Sequence, residues 1–210
     1  MIRLRILGGK LAAVCGAVAL LVPSLPAQAL TSDGQSRINT VAEDKSTPCQ
    51  IGTTAMVAQA PNVISLLGIK KAWQLSRGSK VKVAIVDSGV VASNVHLTEN
   101  VLPGIDLVDS GDGRTDAAGH GTAIAGQIAA HEVEGSGLVG LVPEAEILPV
   151  RVYVSEQHDA TSAGKGPDGA RTAKGIVWAA DQGAKVIVVA QSSPTDLPEL
   201  KASVEHAAAS

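Results

Sequence analysis

The sequence predicts an α/β fold: a parallel sheet with flanking helices. Short aliphatic runs such as Val81–Val86 and Val186–Ala190 are bounded by turn residues and read as strands buried on both faces. From Val81 onward such runs alternate with stretches of helical apolar spacing, the pattern of a parallel sheet with crossover helices. The chain has no Phe, one Tyr and two Trp in 210 residues, so Ala, Val, Leu and Ile must fill the core. That composition suits thin layers of aliphatic strands and small-residue helices.

The elements follow in order. Residues 1–29 read as a secretory signal peptide. Arg3, Arg5 and Lys10 precede an apolar run, Leu11–Val22; Pro23 and Pro26 break it, and Ala27-Gln28-Ala29 offers a small-x-small cleavage site. The run is shorter than the ~20 apolar residues of a membrane span. The chain is therefore expected to be exported, to the cell envelope or outside. Residues 30–60 are polar and without periodicity, an extension that carries Cys49. Only two cysteines are present, too few for a disulfide scaffold or a zinc site, and Cys15 lies in the leader.

Residues 61–210 form the folded domain. Pro61–Gln74 has Val63, Ile64, Leu66, Leu67, Ile69 and Trp73 at the spacing of one buried helix face. Val81–Val86 is the first strand, closed by Asp87-Ser88-Gly89, and Leu102–Val108 is a weaker one. Ala123–Ala130 should be a small-residue helix packed closely on the sheet, followed by a strand at Ala145–Val154 and a polar loop at Ser155–Asp168. Arg171–Gln182 reads as a strong helix with Gly183 ending it, Val186–Ala190 as a fourth buried strand, and Leu197–Ala209 as a last helix.

Charge narrows the function. Lys plus Arg is 17 against 20 for Asp plus Glu, a net −3, which excludes a basic nucleic-acid binder. A nucleotide-binding reading of Val81–Val91 fails for want of Gly-x-Gly-x-x-Gly.

Two residues stand out by position. Asp87 ends a buried strand, at the carboxyl edge where α/β sheets gather ligands and catalytic groups. The plainer reading is an Asp that caps its own turn. His120 lies between two glycines at a helix start, where glycine permits close approach of another backbone or a substrate. A carboxylate can hold one imidazole nitrogen protonated and leave the other free as a general base.

The motifs around these residues resemble those of the subtilisin-like serine proteases. Val83-Ala-Ile-Val-Asp87-Ser-Gly-Val90 is similar to the family's Asp motif, and Asp116-Ala-Ala-Gly-His120-Gly-Thr-Ala-Ile-Ala-Gly126 to its His motif. Gly140-Leu-Val-Pro-Glu-Ala145, Leu148-Pro-Val-Arg-Val152 and Trp178-Ala-Ala-Asp-Gln-Gly-Ala-Lys-Val-Ile187 resemble the segments beyond. Within that family the leader, the extension with Cys49 and the long loop after Leu148–Val152 resemble the mycosins of type VII secretion systems. The resemblance implies peptide-bond hydrolysis by an Asp-His-Ser triad, with Asp87 and His120 as catalytic residues. It implies a protein or peptide substrate lying beside Gln191 and Ser192, and a type VII secretion membrane complex as partner. No cofactor is required; subtilases often carry calcium, but no ligand is assigned here. Asp106, Asp109, Asp112 and Asp116 miss the alternation of a calcium loop and read as a polar loop.

The sequence also departs from the family. No Gly-Thr-Ser nucleophile motif and no Ala-Gly-Asn oxyanion segment occurs in it. It is expected to hold only the N-terminal half of the catalytic domain and, alone, to be inactive. Val188 and Ala190 stand where the family has Asn and Ser beside the substrate cleft. The alternative function is a non-catalytic scaffold component of a secretion complex, or a truncated inactive gene product. His96 is expected to pack within a loop; His131, His158 and His206 are expected to be solvated.

Overall fold

The computed structural model describes residues 56, 58–193 and 195–210. The leader 1–29, Cys49 and nearly all of the extension 30–60 lie outside the described residues. All of the described residues fall in one compact unit, Gln50–Ser210.

Four parallel strands form one sheet in the order β2-β3-β1-β4. The central pair is β1 (Lys82–Asp87) and β3 (Glu146–Arg151), in register from Lys82 opposite Glu146 to Asp87 opposite Arg151. Both are buried along nearly their whole length, which explains their unbroken apolar sequences. β2 is only Ile105–Asp106, paired with the end of β3 and preceded by a bridge from Val101 to Ile147. β4 (Val186–Val188) pairs with β1 from Val83 to Ile85.

The alternation of side chains along β1 divides the core between two faces. Val83 and Ile85, with Ile147, pack against Ala125 and Ala129 of α3 (His120–Ala129). Ala84 and Val86, with Leu148 and Val150, pack against Ile176 and Ala179 of α5 (Gly169–Asp181). Small residues let the helices approach closely, so two aliphatic layers form without Phe. The Asp168 side chain caps α5 by accepting from the Arg171 N–H at 2.7 Å. The last helix, α6 (Pro198–Ala209), lies along α5 and adds Leu200 and Ala207 to that layer.

Several expectations need correction. Pro61–Gln74 is not one helix but two short ones, α1 (Asn62–Leu66) and α2 (Ile69–Ala72), because Gly68 adopts φ 62° between them. The break leaves Ile64 buried but Leu66 and Leu67 81% and 64% exposed. Trp73 instead ties the segment down, donating from its indole N–H to the Leu141 carbonyl at 2.8 Å under a stacked Arg77. The loop 155–168 contains a short helix, α4 (His158–Ser162). α3 begins at His120, three residues before the apolar periodicity suggests, since Gly and His there are helical but not apolar. β4 is shorter than Val186–Ala190 and not buried: Val186 is 47% exposed, because the strand pairs with β1 only, among the described residues. His131 is half-buried rather than solvated. The chain turns back after α3, so its N–H reaches the His96 carbonyl, while His96 Nδ1–H donates to the His131 carbonyl at 2.9 Å.

Candidate active site

β1 delivers Asp87 to the carboxyl edge of the sheet as its last residue, fully buried between β3 and the start of α3. α3 delivers His120 as its first residue. His120 Nδ1 lies 2.8 Å from Asp87 Oδ1, and half of the imidazole side chain is exposed. The two residues singled out by motif are therefore brought together. With Nδ1 turned to the carboxylate, the ring's open edge carries Nε2.

The two glycines around His120 serve different needs. Gly119 sits at φ 78° with open space around it, so it supplies a left-handed turn into the helix. Gly121 supplies room: a Cβ there would lie 2.2 Å from the Gly89 carbonyl and 3.2 Å from the Asp87 Cβ. Only glycine lets α3 start so close to the turn that follows β1.

Hydrogen bonds fasten that start. Ser88 donates its N–H and its hydroxyl to Asp87 Oδ1, at 2.7 and 3.1 Å, and accepts the Gly121 N–H at 3.0 Å. So Asp87 does cap its own turn as well as facing His120. Asp116 holds the other side. Its Oδ1 accepts the Ala118 and Gly119 N–H groups, and its Oδ2 accepts the N–H and hydroxyl of Thr122. The Thr122 oxygen in turn accepts the Val91 N–H at 3.0 Å, joining the helix to the loop after β1. The motif contains Asp116 and Thr122, but their bonding partners are fixed only by the folded loop.

A third residue faces the pair, and sequence reasoning missed it. Tyr153 follows β3 and is buried, with its hydroxyl 3.1 Å from Asp87 Oδ1 and 3.3 Å from His120 Nδ1. Its one signal in the sequence is the strand register. Arg151 pairs with Asp87, and the Val152 N–H donates to the Asp87 carbonyl, so the chain leaves β3 beside the carboxylate.

The electrostatics follow from these contacts. The hydrogen bond that His120 donates to Asp87 raises the imidazole above its ordinary value; burial opposes this, and the charges of Asp87, Glu156 and Asp116 add to it. Burial, then the nearby Asp87 charge, push the Tyr153 phenol above its usual range, so it is a neutral donor at physiological pH. Such an arrangement can hold an imidazole with Nδ1 protonated and Nε2 free to take a proton.

Gln191 and Ser192 lie beside this edge without joining it. Gln191 donates its side-chain N–H to the carbonyl of Val86, the residue before Asp87, at 3.1 Å. Both residues line a shallow cavity of about 280 Å³ with Thr172, Val189 and Leu200.

The acidic loop does not fit a calcium ion. Asp106 pairs with the Arg151 guanidinium at 2.6 Å, Asp112 with Arg114 at 2.7 Å and Asp109 with Lys165 at 2.8 Å, so three of its carboxylates already have cations, and the fourth, Asp116, spends both oxygens on N–H and hydroxyl donors. Among the described residues no cluster of three or more His, Cys, Asp or Glu side chains could hold a metal ion. No helix among them is long and apolar enough to cross a membrane.

The profile of the subtilase family matches residues 78–209. Thermitase of Thermoactinomyces vulgaris is 38% identical over 65% of this chain and 46% of its own length. Mycosin-3 of Mycobacterium tuberculosis is 41% identical over 64% of this chain and 29% of its own. Among solved structures, the MycP3 protease from the type VII (ESX-3) secretion system superposes with a TM-score of 0.57. Its identity is 31%, over 73% of this chain and 46% of that one. The chain thus spans less than half the length of these relatives.

Proposed function

Because this chain belongs to the subtilase family, we propose that Asp87 and His120 are the orienting carboxylate and the general base of a subtilisin-type serine endopeptidase site. The observation that carries the reading is the 2.8 Å contact between the buried Asp87 carboxylate and Nδ1 of a half-exposed imidazole at a helix start. Asp87 fixes the Nδ1–H tautomer and stabilises the imidazolium. His120 Nε2 takes the proton of a serine hydroxyl as it attacks the scissile carbonyl, then returns it to the leaving amine. Residues 1–210 hold no Gly-Thr-Ser, so they supply the carboxylate and the imidazole of the triad and not its nucleophile.

The substrate in this reading is an extended peptide that passes Gln191 and Ser192 beside the sheet as an added strand. Val188 and Ala190 there offer no polar side chain to it. Likeness to a mycosin and to a protease of a type VII secretion system supports export by residues 1–29 and work at the cell envelope with such a complex.

The test has two arms. The 210-residue chain should not be labelled by a fluorophosphonate probe of serine hydrolases. The same residues in a product that continues through a Gly-Thr-Ser segment should cleave an unfolded protein substrate. His120→Ala should lower that turnover by several orders of magnitude. Stoichiometric labelling of the 210-residue chain, or a loss below about tenfold, would refute the assignment.

A further inference from the structure

Four donors crowd one oxygen of the Asp87 carboxylate. Oδ1 accepts the Ser88 N–H at 2.7 Å, the Ser88 hydroxyl at 3.1 Å, His120 Nδ1–H at 2.8 Å and the Tyr153 hydroxyl at 3.1 Å. Oδ2 is buried and has no hydrogen-bond partner among the described residues. A carboxylate can turn about its Cβ–Cγ bond, so its donors decide which oxygen meets the imidazole. Ser88 is the chain neighbour of Asp87 and moves with it. Tyr153 is anchored elsewhere, just past the end of β3, and the residue is 1% exposed.

Resting on the Asp87–His120 reading, we infer that Tyr153 is a positioning residue. Its hydroxyl locks the Asp87 carboxylate toward His120 and takes a share of the carboxylate's charge, so that His120 stays a neutral base at lower pH than Asp87 alone would allow. The donor direction is set by chemistry. A carboxylate only accepts, and the phenol, its ionisation disfavoured by burial and by Asp87, keeps its proton. The phenol oxygen also lies 3.3 Å from His120 Nδ1, so the hydroxyl sits at the junction of the carboxylate and the imidazole.

The groups that act on the imidazole are then few. Asp87 reaches it from β1, Tyr153 from the end of β3, Glu156 from the loop beyond and Asp116 from the turn before α3. Both flanking acids make His120 easier to protonate. Among these groups Tyr153 is the one neutral donor, and it acts on the carboxylate that matters most. Removing its hydroxyl concentrates the Asp87 charge on the imidazole.

The experiment is a pH titration of the full chain with 15N-labelled histidine, followed by long-range proton–nitrogen correlation. Tyr153→Phe removes the hydroxyl and keeps the ring. Its His120 midpoint should rise by about half a unit relative to the parent chain. Asp87→Asn should lower the midpoint below that of the parent. If Asp87→Asn lowers it and Tyr153→Phe leaves it within about 0.2 unit or lowers it, the inference about Tyr153 is overturned and the dyad stands. If Asp87→Asn does not lower it, the dyad reading falls and the inference falls with it. A second measurement needs no substitution at position 153. Tyr153 is the one tyrosine in the sequence, so fluorotyrosine labelling gives a single 19F resonance. That resonance should titrate with the His120 midpoint and lose the inflection in His120→Ala; a flat response in the parent chain overturns the inference.

Discussion

Gly121→Ala should disconnect His120 from Asp87 without touching either residue. The new Cβ would lie 2.2 Å from the Gly89 carbonyl oxygen. An ordinary contact begins at about 3.4 Å, so roughly 1 Å of separation must be found. The turn carrying Gly89 has little to give: it runs so close to the Thr115 carbonyl that no side chain would fit at Gly89, and the Val90 N–H is bonded to the Gly113 carbonyl. The first turn of α3 must retreat instead, taking His120 with it. A 2.8 Å bond lengthened by about 1 Å is no longer a hydrogen bond. Overpacking of this kind costs about 1–3 kcal/mol, which lowers the melting temperature by about 5 °C in a domain of this size. The His120 midpoint, measured by 15N-histidine titration, should fall toward its ordinary value. Gly119→Ala is the matched control. That position has open space and φ 78°, so the cost is one of backbone conformation, about 1 kcal/mol, and the His120 midpoint should stay where it was. If Gly121→Ala melts with the parent and keeps its midpoint, the close approach of α3 to the β1 turn does not hold the pair together.

Two further outcomes are expected. Asp106 lies under a buried Arg151, and although burial pushes its carboxyl up, the Asp109 and Val108 N–H groups and the guanidinium hold it below the usual range. Asp106→Asn should cost about 3 kcal/mol at neutral pH in a urea melt, since it leaves the Arg151 charge buried with only Asp109 at 3.7 Å; a cost under about 1 kcal/mol would contradict this. In the parent chain the Asp106 contribution is present above the ordinary carboxylate range and lost as pH falls through the depressed value. His120 has the opposite sign: its value is raised in the fold, so its contribution is full below about pH 6.5 and lost as pH rises through the raised value. The stability gap between the parent and His120→Gln should therefore shrink on going from acid to mildly alkaline pH; a gap that widens would mean the fold favours the neutral ring.

The legible parts of the sequence were those whose cause is local. β1 and β3 are covered on both faces, so burial wrote an apolar run into each; both ends of β1 and the start of β3 were readable to a residue, while β3 ends at Arg151, three residues before the expected Val154. Gly119-His120-Gly121 was readable because glycines beside a histidine at a helix start announce a close approach, which Gly121 makes; the left-handed turn that Gly119 supplies became visible only in the structure. Pro61–Gln74 misled because its apolar spacing fits one helix, while Gly68 imposes a break whose consequence is exposed leucines. β4 misled for the converse reason. Val186–Val188 is as apolar as a central strand, but periodicity reports composition and not the number of neighbouring strands.

The site shows the same division more sharply. Asp87 and His120 carry motif signals, and they meet. Tyr153 carries none, because its place beside Asp87 depends on β3 pairing in parallel with β1 in one register, across 66 residues of chain. A slip of one residue would turn that side of β3 away from Asp87. Asp116 and Thr122 are intermediate: the motif contains them, but only the folded loop makes one carboxylate serve four donors and join α3 to the chain after β1. The pair that does the chemistry in the proposed reaction is thus written in short motifs, while the groups that aim it are written in the topology. Substitutions that break the aim are accordingly expected at Gly121, Asp116 and Tyr153, where the ring's position and its proton affinity should change together.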